Sequence, residues 1–368
     1  MVRRHRLAYA FFTLTLALNL VVLRGGIAKG IERLALVAMP LLLVLGLGLV
    51  LRVLTLDPPP GAGPEQSVSA GLGFVWNPDF RALADAGVWL AAAGQVFFTL
   101  SIGWGIVHAY GSYIGARDDV ALTGLTGASL NEFAEVVLGG TIALTAAVVF
   151  LGAAQAQEVA RAGSFDLAFQ AMPLVLAQLP ASGLFATAWF LLLFLAGLTS
   201  SVALLQPLIG LLQEDFGVSR PRAVALSGGL LWLCAHPVLF WLGHGFMDEL
   251  DFWVGELALL VFGFVELVIF AWIFGIDRGW EEITRGARLR LPALYRPLIR
   301  WVLPLALGAI LATWLAQELG PRLSLAAVDA DDRPYVVGAR LWLVVLFGAA
   351  VAIAHAGARA AARREGGS

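Results

Sequence analysis

Long apolar runs separated by short polar connections make up most of the chain. Nine of these runs come near the roughly 20 residues that an α-helix needs to cross about 30 Å of hydrocarbon. They lie at 7–23, 35–56, 88–114, 121–152, 183–212, 223–242, 251–275, 298–317 and 336–357. The pattern predicts an all-α, polytopic membrane helix bundle, with residues 1–368 forming a single transmembrane domain of about nine helices.

The third run differs from the others because polar and flexible residues interrupt its middle. Two hydroxyl residues, Thr99 and Ser101, are followed by Gly103 and Gly105. Backbone N–H and C=O groups in hydrocarbon must find partners, so a break is tolerated only where protein, water or a bound solute lines it. The ends of half-helices present carbonyls to cations and N–H groups to anions. The third run is therefore predicted to hold a binding site.

Two connections are much longer than the rest. Residues 57–86 are rich in proline and glycine and are predicted to be irregular, and residues 153–180 are predicted to contain short helical stretches around Phe165. Connections of this length are often lids over a site, although a plain surface connection explains the second one equally well.

Basic residues are distributed unevenly between the two sets of connections. If the first run begins outside, the connections on one side hold fifteen basic residues and the connections on the other side only Arg81, Arg161, Arg322 and Arg333. Basic residues accumulate on the cytoplasmic side of membrane proteins. The C-terminus is therefore predicted to be cytoplasmic, in the inner (plasma) membrane of a cell.

The composition agrees with a membrane protein and argues against other classes of protein. Hydrophobic residues make up 60% of the chain and charged residues 14%, against about 45–50% and 25% in soluble domains. A net charge of −2 argues against nucleic-acid partners. The single Cys234 allows neither an internal disulfide nor a CxxC metal site.

Five segments together resemble the neurotransmitter:sodium symporter family, in particular its bacterial amino-acid branch, which is leucine-transporter-like. They are 26–40 (GIAKGIERLALVAMP), 94–113 (GQVFFTLSIGWGIVHAYGSY), 129–140 (SLNEFAEVVLGG), 194–207 (FLAGLTSSVALLQP) and 248–253 (DELDFW). The resemblance implies a sodium-coupled symporter of amino acids that works by alternating access. It implies sodium as the coupling ion, no enzyme activity and no other cofactor, and it leaves a homodimer as an expectation.

The resemblance also implies that part of the family's architecture lies outside this chain. Family members have about twelve helices, and this chain is similar to the fourth through twelfth. Residues 1–56 would then be the end of the first inverted repeat, 88–275 the second, and 298–357 two peripheral helices. The basic start of the chain, on the side where few basic residues are expected, agrees with missing helices. The alternative is a non-transporting fragment or remnant of such a transporter.

The resemblance implies two sodium sites. Thr99 and Asn131 would bind the sodium ion that also touches the substrate, and Ala196, Thr199 and Ser200 would form half of a second site. These residues offer neutral oxygens, which hard cations prefer. From the residues alone, hydroxyls that bond to their own helix and an Asn that joins two helices explain the pattern as well.

Glu135 lies one helical turn after Asn131, so the two share a helix face. In chloride-dependent members of the family this position is a serine beside bound chloride. The resemblance therefore implies that Glu135 supplies the negative charge in place of chloride. The alternative is a buried Glu that stays neutral and hydrogen-bonded, because burying its charge is costly.

Further residues match positions that line the substrate pocket or close it. By resemblance the pocket is lined by Phe98, Thr99, Ser101, Trp104 and Leu204. Trp104 departs from the family's usual phenylalanine, so the larger ring reshapes the pocket. The gate residues implied are Asp248 and Asp251 at the outer mouth and Glu214 at the inner one. Most acids at such positions are ordinary solvated charges.

An intramembrane hydrolase that uses serine and histidine is a third class of function. The chain has five histidines, but it contains no GxSxG motif and no Ser–His pairing that the sequence supports. Retained activity after replacement of both Ser101 and Ser112 by alanine would remove this class.

Overall fold

The computed structural model describes residues 2–162, 164–326 and 328–365, and this part of the chain consists of helices and turns without a β-strand. The prediction of an all-α protein is confirmed. The helices are α1 (Val2–Arg24), α2 (Ile27–Leu54), α3 (Val68–Trp76), α4 (Ala86–Thr99), α5 (Ile106–Gly111), α6 (Val120–Leu151), α7 (Ala153–Ala162), α8 (Leu167–Ala177), α9 (Ser182–Glu214), α10 (Arg220–His244), α11 (Phe246–Thr284), α12 (Tyr295–Gln317), α13 (Leu319–Ser324) and α14 (Arg333–Glu365).

Eight of the described helices are long and apolar enough to cross a membrane: α1, α2, α6, α9, α10, α11, α12 and α14. The ninth predicted run, 88–114, is divided between α4 and α5, and α4 falls in the class of shorter apolar helices. The count of long helices is lower than nine because the break splits one run.

The chain forms two compact units. The larger unit comprises Met1–Ile31, Arg81–Gly124 and Ser201–Ser368, and the smaller comprises Glu32–Phe80 and Leu125–Ser200. In the smaller unit, α2, α6, α8 and α9 pack around a buried core that includes Leu49, Ile142, Met172 and Trp189. The Trp189 indole donates a hydrogen bond to the carbonyl of Ala168 at 3.1 Å.

The connection 57–86 is more ordered than predicted, because it contains α3. Ser67 caps this helix: its hydroxyl accepts a hydrogen bond from the Ala70 N–H at 3.2 Å. A Cβ atom at Gly71 would lie only 2.8 Å from the Cα of Thr145. Glycine thus lets α3 approach the backbone of α6, and the prediction of an irregular segment was wrong here.

The connection 153–180 contains α7 and α8, and residue 163 lies outside the described part. Met172, Val175 and Leu176 of α8 are buried. Because these side chains belong to the core of the smaller unit, α8 is an integral helix and not a plain surface connection.

In the larger unit, α4, α11 and α12 pack around a core of Leu90, Leu260, Leu307, Leu311 and Trp314. These large apolar side chains hold α4 beside α11, so they also position the break that follows α4. In a bilayer, the close van der Waals packing of such side chains stabilises the contact between these helices.

Helix α11 bends at Gly275, whose φ of +94° is a conformation that glycine adopts readily. The last part of the helix, Ile276–Thr284, packs back against the preceding turns, since a Cβ at Gly279 would lie 2.4 Å from the Phe270 ring. Ile276 and Trp280 are buried, whereas Glu281 is exposed. This last part is therefore amphipathic.

Candidate functional site

The break predicted in the third run is present. Helix α4 ends at Thr99 and α5 begins at Ile106. Between them, Ser101, Gly103 and Gly105 have φ angles of +57°, +81° and +73°. Left-handed residues cannot continue a right-handed helix, so the chain is forced to turn at this point.

The backbone of the break satisfies some of its hydrogen-bonding groups and leaves others open. The N–H of Leu100 donates to the carbonyl of Val96 at 3.1 Å, and that of Ile102 to the carbonyl of Phe97 at 2.9 Å. Among the described residues, no hydrogen bond is donated by the N–H groups of Gly103, Trp104 and Gly105. Such groups need a partner at membrane depth, so the break can bind a solute with acceptor atoms.

Close packing fixes the position of the break within the larger unit. A Cβ at Gly103 would lie 3.0 Å from the carbonyl oxygen of Leu259 in α11, and one at Gly105 would lie 3.8 Å from Pro207 in α9. Leu259 is buried. The two glycines therefore allow neighbouring helices to approach, besides supplying the unusual φ angles.

Two of the predicted pocket residues meet across the break. The rings of Phe98 and Trp104 are 6.0 Å apart and nearly perpendicular, at 73°, an arrangement that aromatic pairs favour. Phe98 is 47% exposed and Leu204, on α9, is 44% exposed, so both retain free apolar surface. Thr99 and Ser101 are half-buried beside this pair.

The remaining predicted ligands lie in the smaller unit. On α6, the amide nitrogen of Asn131 donates a hydrogen bond to Glu135 Oε2 at 3.4 Å, and both residues are half-buried. On α9, the Thr199 hydroxyl donates to the carbonyls of Leu195 and Ala196, each at 3.0 Å. Ser200 is exposed. The structure thus brings the predicted residues together within each helix.

A cavity of about 250 Å³ lies in the larger unit between α5 and the end of α9. Its polar lining residues are His108, Ser112, Tyr113, Gln206, Glu214 and Asp215. Of these, the resemblance had singled out only Glu214. His108 Nδ1 also lies 3.8 Å from Glu266 Oε1 of α11. The cavity begins beside Gly105, so it connects the break to the end of α9.

The acid of the DELDFW segment that forms ion pairs is Glu249, which the sequence did not single out. Asp248 and Asp251 are exposed. The side chain of Glu249 is 5% exposed and accepts hydrogen bonds from Arg340 Nε and Trp253 Nε1, both at 2.6 Å. Arg322 lies 3.4 Å away. Only the spacing of four between Glu249 and Trp253 is visible locally; the arginines are far away in sequence.

Comparisons of the sequence with a family model and with individual proteins indicate the same family. A model of the sodium:neurotransmitter symporter family matches residues 6–325. An uncharacterized sodium-dependent transporter of Methanocaldococcus jannaschii is 31% identical over 292 residues, which cover 78% of this chain and 57% of that protein. The sodium- and chloride-dependent neutral and basic amino acid transporter B(0+) of Mus musculus is 28% identical over 312 residues, covering 81% and 46% respectively. The chain therefore spans about half the length of these two relatives.

A solved structure agrees with the sequence comparisons. The crystal structure of MhsT in complex with L-phenylalanine matches with a TM-score of 0.70 and 25% sequence identity. The match covers 83% of this chain and 67% of MhsT. The helices described above therefore follow the leucine-transporter-like fold.

Proposed function

Because the chain belongs to the sodium:neurotransmitter symporter family, we propose that the protein couples sodium movement to amino-acid transport, by alternating access around the break between α4 and α5. The family consists of transporters, so the expectation that the chain is not an enzyme is confirmed, as is that of a multi-pass membrane protein.

The observation that carries the proposal is the break itself. The N–H groups of Gly103, Trp104 and Gly105 donate no hydrogen bond within the described residues, and a substrate carboxylate is a suitable acceptor for them. Phe98 and Trp104 offer an aromatic surface beside these groups. An amino acid with an apolar or aromatic side chain fits this combination of a polar and an apolar surface.

Sodium would bind at two places. For the second site, the Ala196 carbonyl and the Thr199 hydroxyl are already 3.0 Å apart, so both oxygens can reach one ion once Ser200 joins them. For the first site, the proposed ligands are the oxygens of Asn131 and Thr99, while the amide nitrogen of Asn131 donates a hydrogen bond to Glu135.

Glu135 is proposed to supply a built-in negative charge next to the first sodium ion. Its hydrogen bond with Asn131 connects the charge directly to a proposed ligand. We assign the cavity at the end of α9, with Glu214 at its edge, to the inner side of the pathway, and Asp248 and Asp251 to the outer mouth. The cytoplasmic C-terminus and a homodimer stay predictions.

The test is sodium-dependent binding and uptake of labelled amino acids, beginning with phenylalanine, by the protein in liposomes. Thr199→Ala and Asn131→Ala should each raise the sodium concentration for half-maximal uptake about tenfold, if each removed ligand contributes about 1.4 kcal/mol. Thr187→Ala is the matched control, because the Thr187 hydroxyl also bonds to its own helix, at the Gly183 carbonyl.

Three results would count against the proposal. Unchanged sodium dependence in both ligand variants would remove the sodium assignments. An equal effect of Thr187→Ala would assign the loss to helix packing. Absence of any sodium-dependent amino-acid binding would favour the alternative of a fragment that does not transport.

A further inference from the structure

The segment 285–300 lies at a membrane surface. It follows α11 and includes the start of α12, and both helices are long and apolar enough to cross a membrane. A connection between two consecutive crossing helices must emerge at one face of the bilayer, whichever side that face is on. The side chains of this segment therefore lie near the lipid headgroups.

All the charged side chains of the segment are positive. It contains five arginines and no acidic residue. Arg285 pairs with Glu282 at 2.6 Å and Arg296 lies 3.9 Å from Asp277. The other three arginines, at positions 288, 290 and 300, are exposed, and they take part in no ion pair among the described residues. Among the described residues, these three exposed positive charges thus stay outside ion pairs, and one of them, Arg288, also interacts electrostatically with the Asp119 carboxylate.

Aromatic and apolar side chains accompany these three charges. The Arg300 guanidinium carbon is 5.4 Å from the centre of the Trp301 ring, and Trp301 is 51% exposed. The Trp272 indole donates to the carbonyl of Arg300 at 2.6 Å. Leu289, between two of the arginines, is 48% exposed. Tryptophans beside arginines are typical of the level where headgroups meet acyl chains.

The connection is held in place by its own unit. The Arg288 N–H donates to Asp119 Oδ2 at 2.8 Å. A Cβ at Gly286 would lie 2.4 Å from the carbonyl oxygen of Asp118, so the two backbones are in close contact. The charged groups are therefore attached to a backbone that is already ordered. Binding of a ligand then costs little backbone conformational entropy.

We propose that Arg288, Arg290 and Arg300, together with Trp301 and Leu289, form a binding surface for an anionic phospholipid. The guanidinium groups bind the anionic phosphate of the headgroup. The indole and the leucine contact the glycerol and the upper acyl chain. A free phosphate ion would use only the arginines, whereas a lipid uses both parts of the surface. This inference is independent of transport.

The experiment compares lipid binding by the purified protein in detergent, using native mass spectrometry with phosphatidylglycerol or phosphatidylcholine. Arg288→Gln, Arg290→Gln and Arg300→Gln are combined in one variant. Phosphatidylglycerol binding should weaken by about 100-fold, the equivalent of three interfacial arginines, while phosphatidylcholine binding should not change. The preference for phosphatidylglycerol in the unmodified protein should also shrink with added salt.

The matched control combines Arg33→Gln, Arg222→Gln and Arg359→Gln, at residues that are also exposed, and it removes the same charge. This control should keep its phosphatidylglycerol binding, and so should a variant with lysine at positions 288, 290 and 300. Any one of four results would overturn the proposal. They are an equal loss of binding in the control, full competition by glycerol phosphate or inorganic phosphate, no rescue by lysine, and binding that does not respond to salt. The salt measurement needs no variant, so a variant that fails to fold leaves the proposal testable.

Discussion

The two ends of the α11–α12 pair use arginine in opposite ways. At one end, Arg322 and Arg340 surround the buried carboxylate of Glu249, and the Arg322 guanidinium carbon lies 3.9 Å from the centre of the Phe252 ring. At the other end, Arg290 and Arg300 are exposed and have no acidic partner among the described residues.

The surroundings of an arginine therefore decide what it does. A charge beside a buried counter-charge belongs to the packing of the protein, and removing its partner is costly. A charge that faces the bilayer surface contributes little to folding and remains available for a ligand. Substitutions that break the Glu249 contacts should therefore change stability, and substitutions of the exposed arginines in 285–300 should mainly change lipid binding.

Glu249→Gln should have the largest effect on stability. It leaves Arg340 and Arg322 without their carboxylate partner, and breaking a buried ion pair in this way costs about 3 kcal/mol. Thermal unfolding in detergent measures the loss. Asp248→Asn, at the exposed neighbour, is the control and should cost at most about 0.5 kcal/mol. A similar loss in both variants would contradict the distinction between buried and exposed acids.

Gly286→Ala should have the next largest effect, at the opposite end. The new Cβ would lie 2.4 Å from the Asp118 carbonyl oxygen, so the connection must move, at about 2 kcal/mol for such overpacking. Gly124→Ala is the control, because nothing lies within 4 Å of its Cβ position, and alanine favours the helix. Unchanged unfolding of the Gly286 variant would show that the connection adapts freely.

Trp253→Phe should have a smaller effect at the Glu249 end. It removes the indole hydrogen bond to the Glu249 carboxylate, which is worth about 1.5 kcal/mol because the acceptor is charged. Trp301→Phe at the other end loses no such bond among the described residues and should leave the unfolding temperature nearly unchanged. If the two variants unfold alike, the indole bond to Glu249 contributes nothing measurable.

The smallest effect on stability is expected from the titration of Asp119 at low pH. The N–H groups of Arg288 and Leu122 hold the pKa of Asp119 below its ordinary value. Because this pKa is lowered in the folded state, the carboxylate stabilises the fold above about pH 4 and loses that contribution as pH falls further. Unfolding temperatures between pH 6 and pH 3 should therefore drop less steeply for Asp119→Asn than for the unmodified protein. Parallel curves would contradict the assignment.

The sequence predicted the membrane helices and the break because both are local properties. Apolar runs are read directly, and Gly103 and Gly105 mark a place where a helix cannot continue. The helical turns beyond Gly275 were missed, because the predicted apolar run ends at that glycine and Ile276–Thr284 is amphipathic. The helix α3 was missed because prolines and glycines surround its short sequence.

The resemblance proposes the residues of the candidate site one by one, but it does not give their contacts. The resemblance indicated Phe98 and Trp104, yet only the structure shows their rings together across the break. Glu249 could not be distinguished from Asp248 and Asp251, because its ion pairs depend on Arg322 and Arg340, which lie beyond the next helix. Pairing over such distances follows from packing and leaves no periodic pattern in the sequence.

Ser101 has a consequence for anyone who redesigns this protein. Its φ of +57° is one that glycine or asparagine adopts at lower cost than serine. A search for stabilising substitutions would therefore select Ser101→Gly early, and the resulting protein would keep its fold and become more robust. It would also lose a hydroxyl beside the open N–H groups of the break, so selection for robustness alone would erode the proposed substrate site.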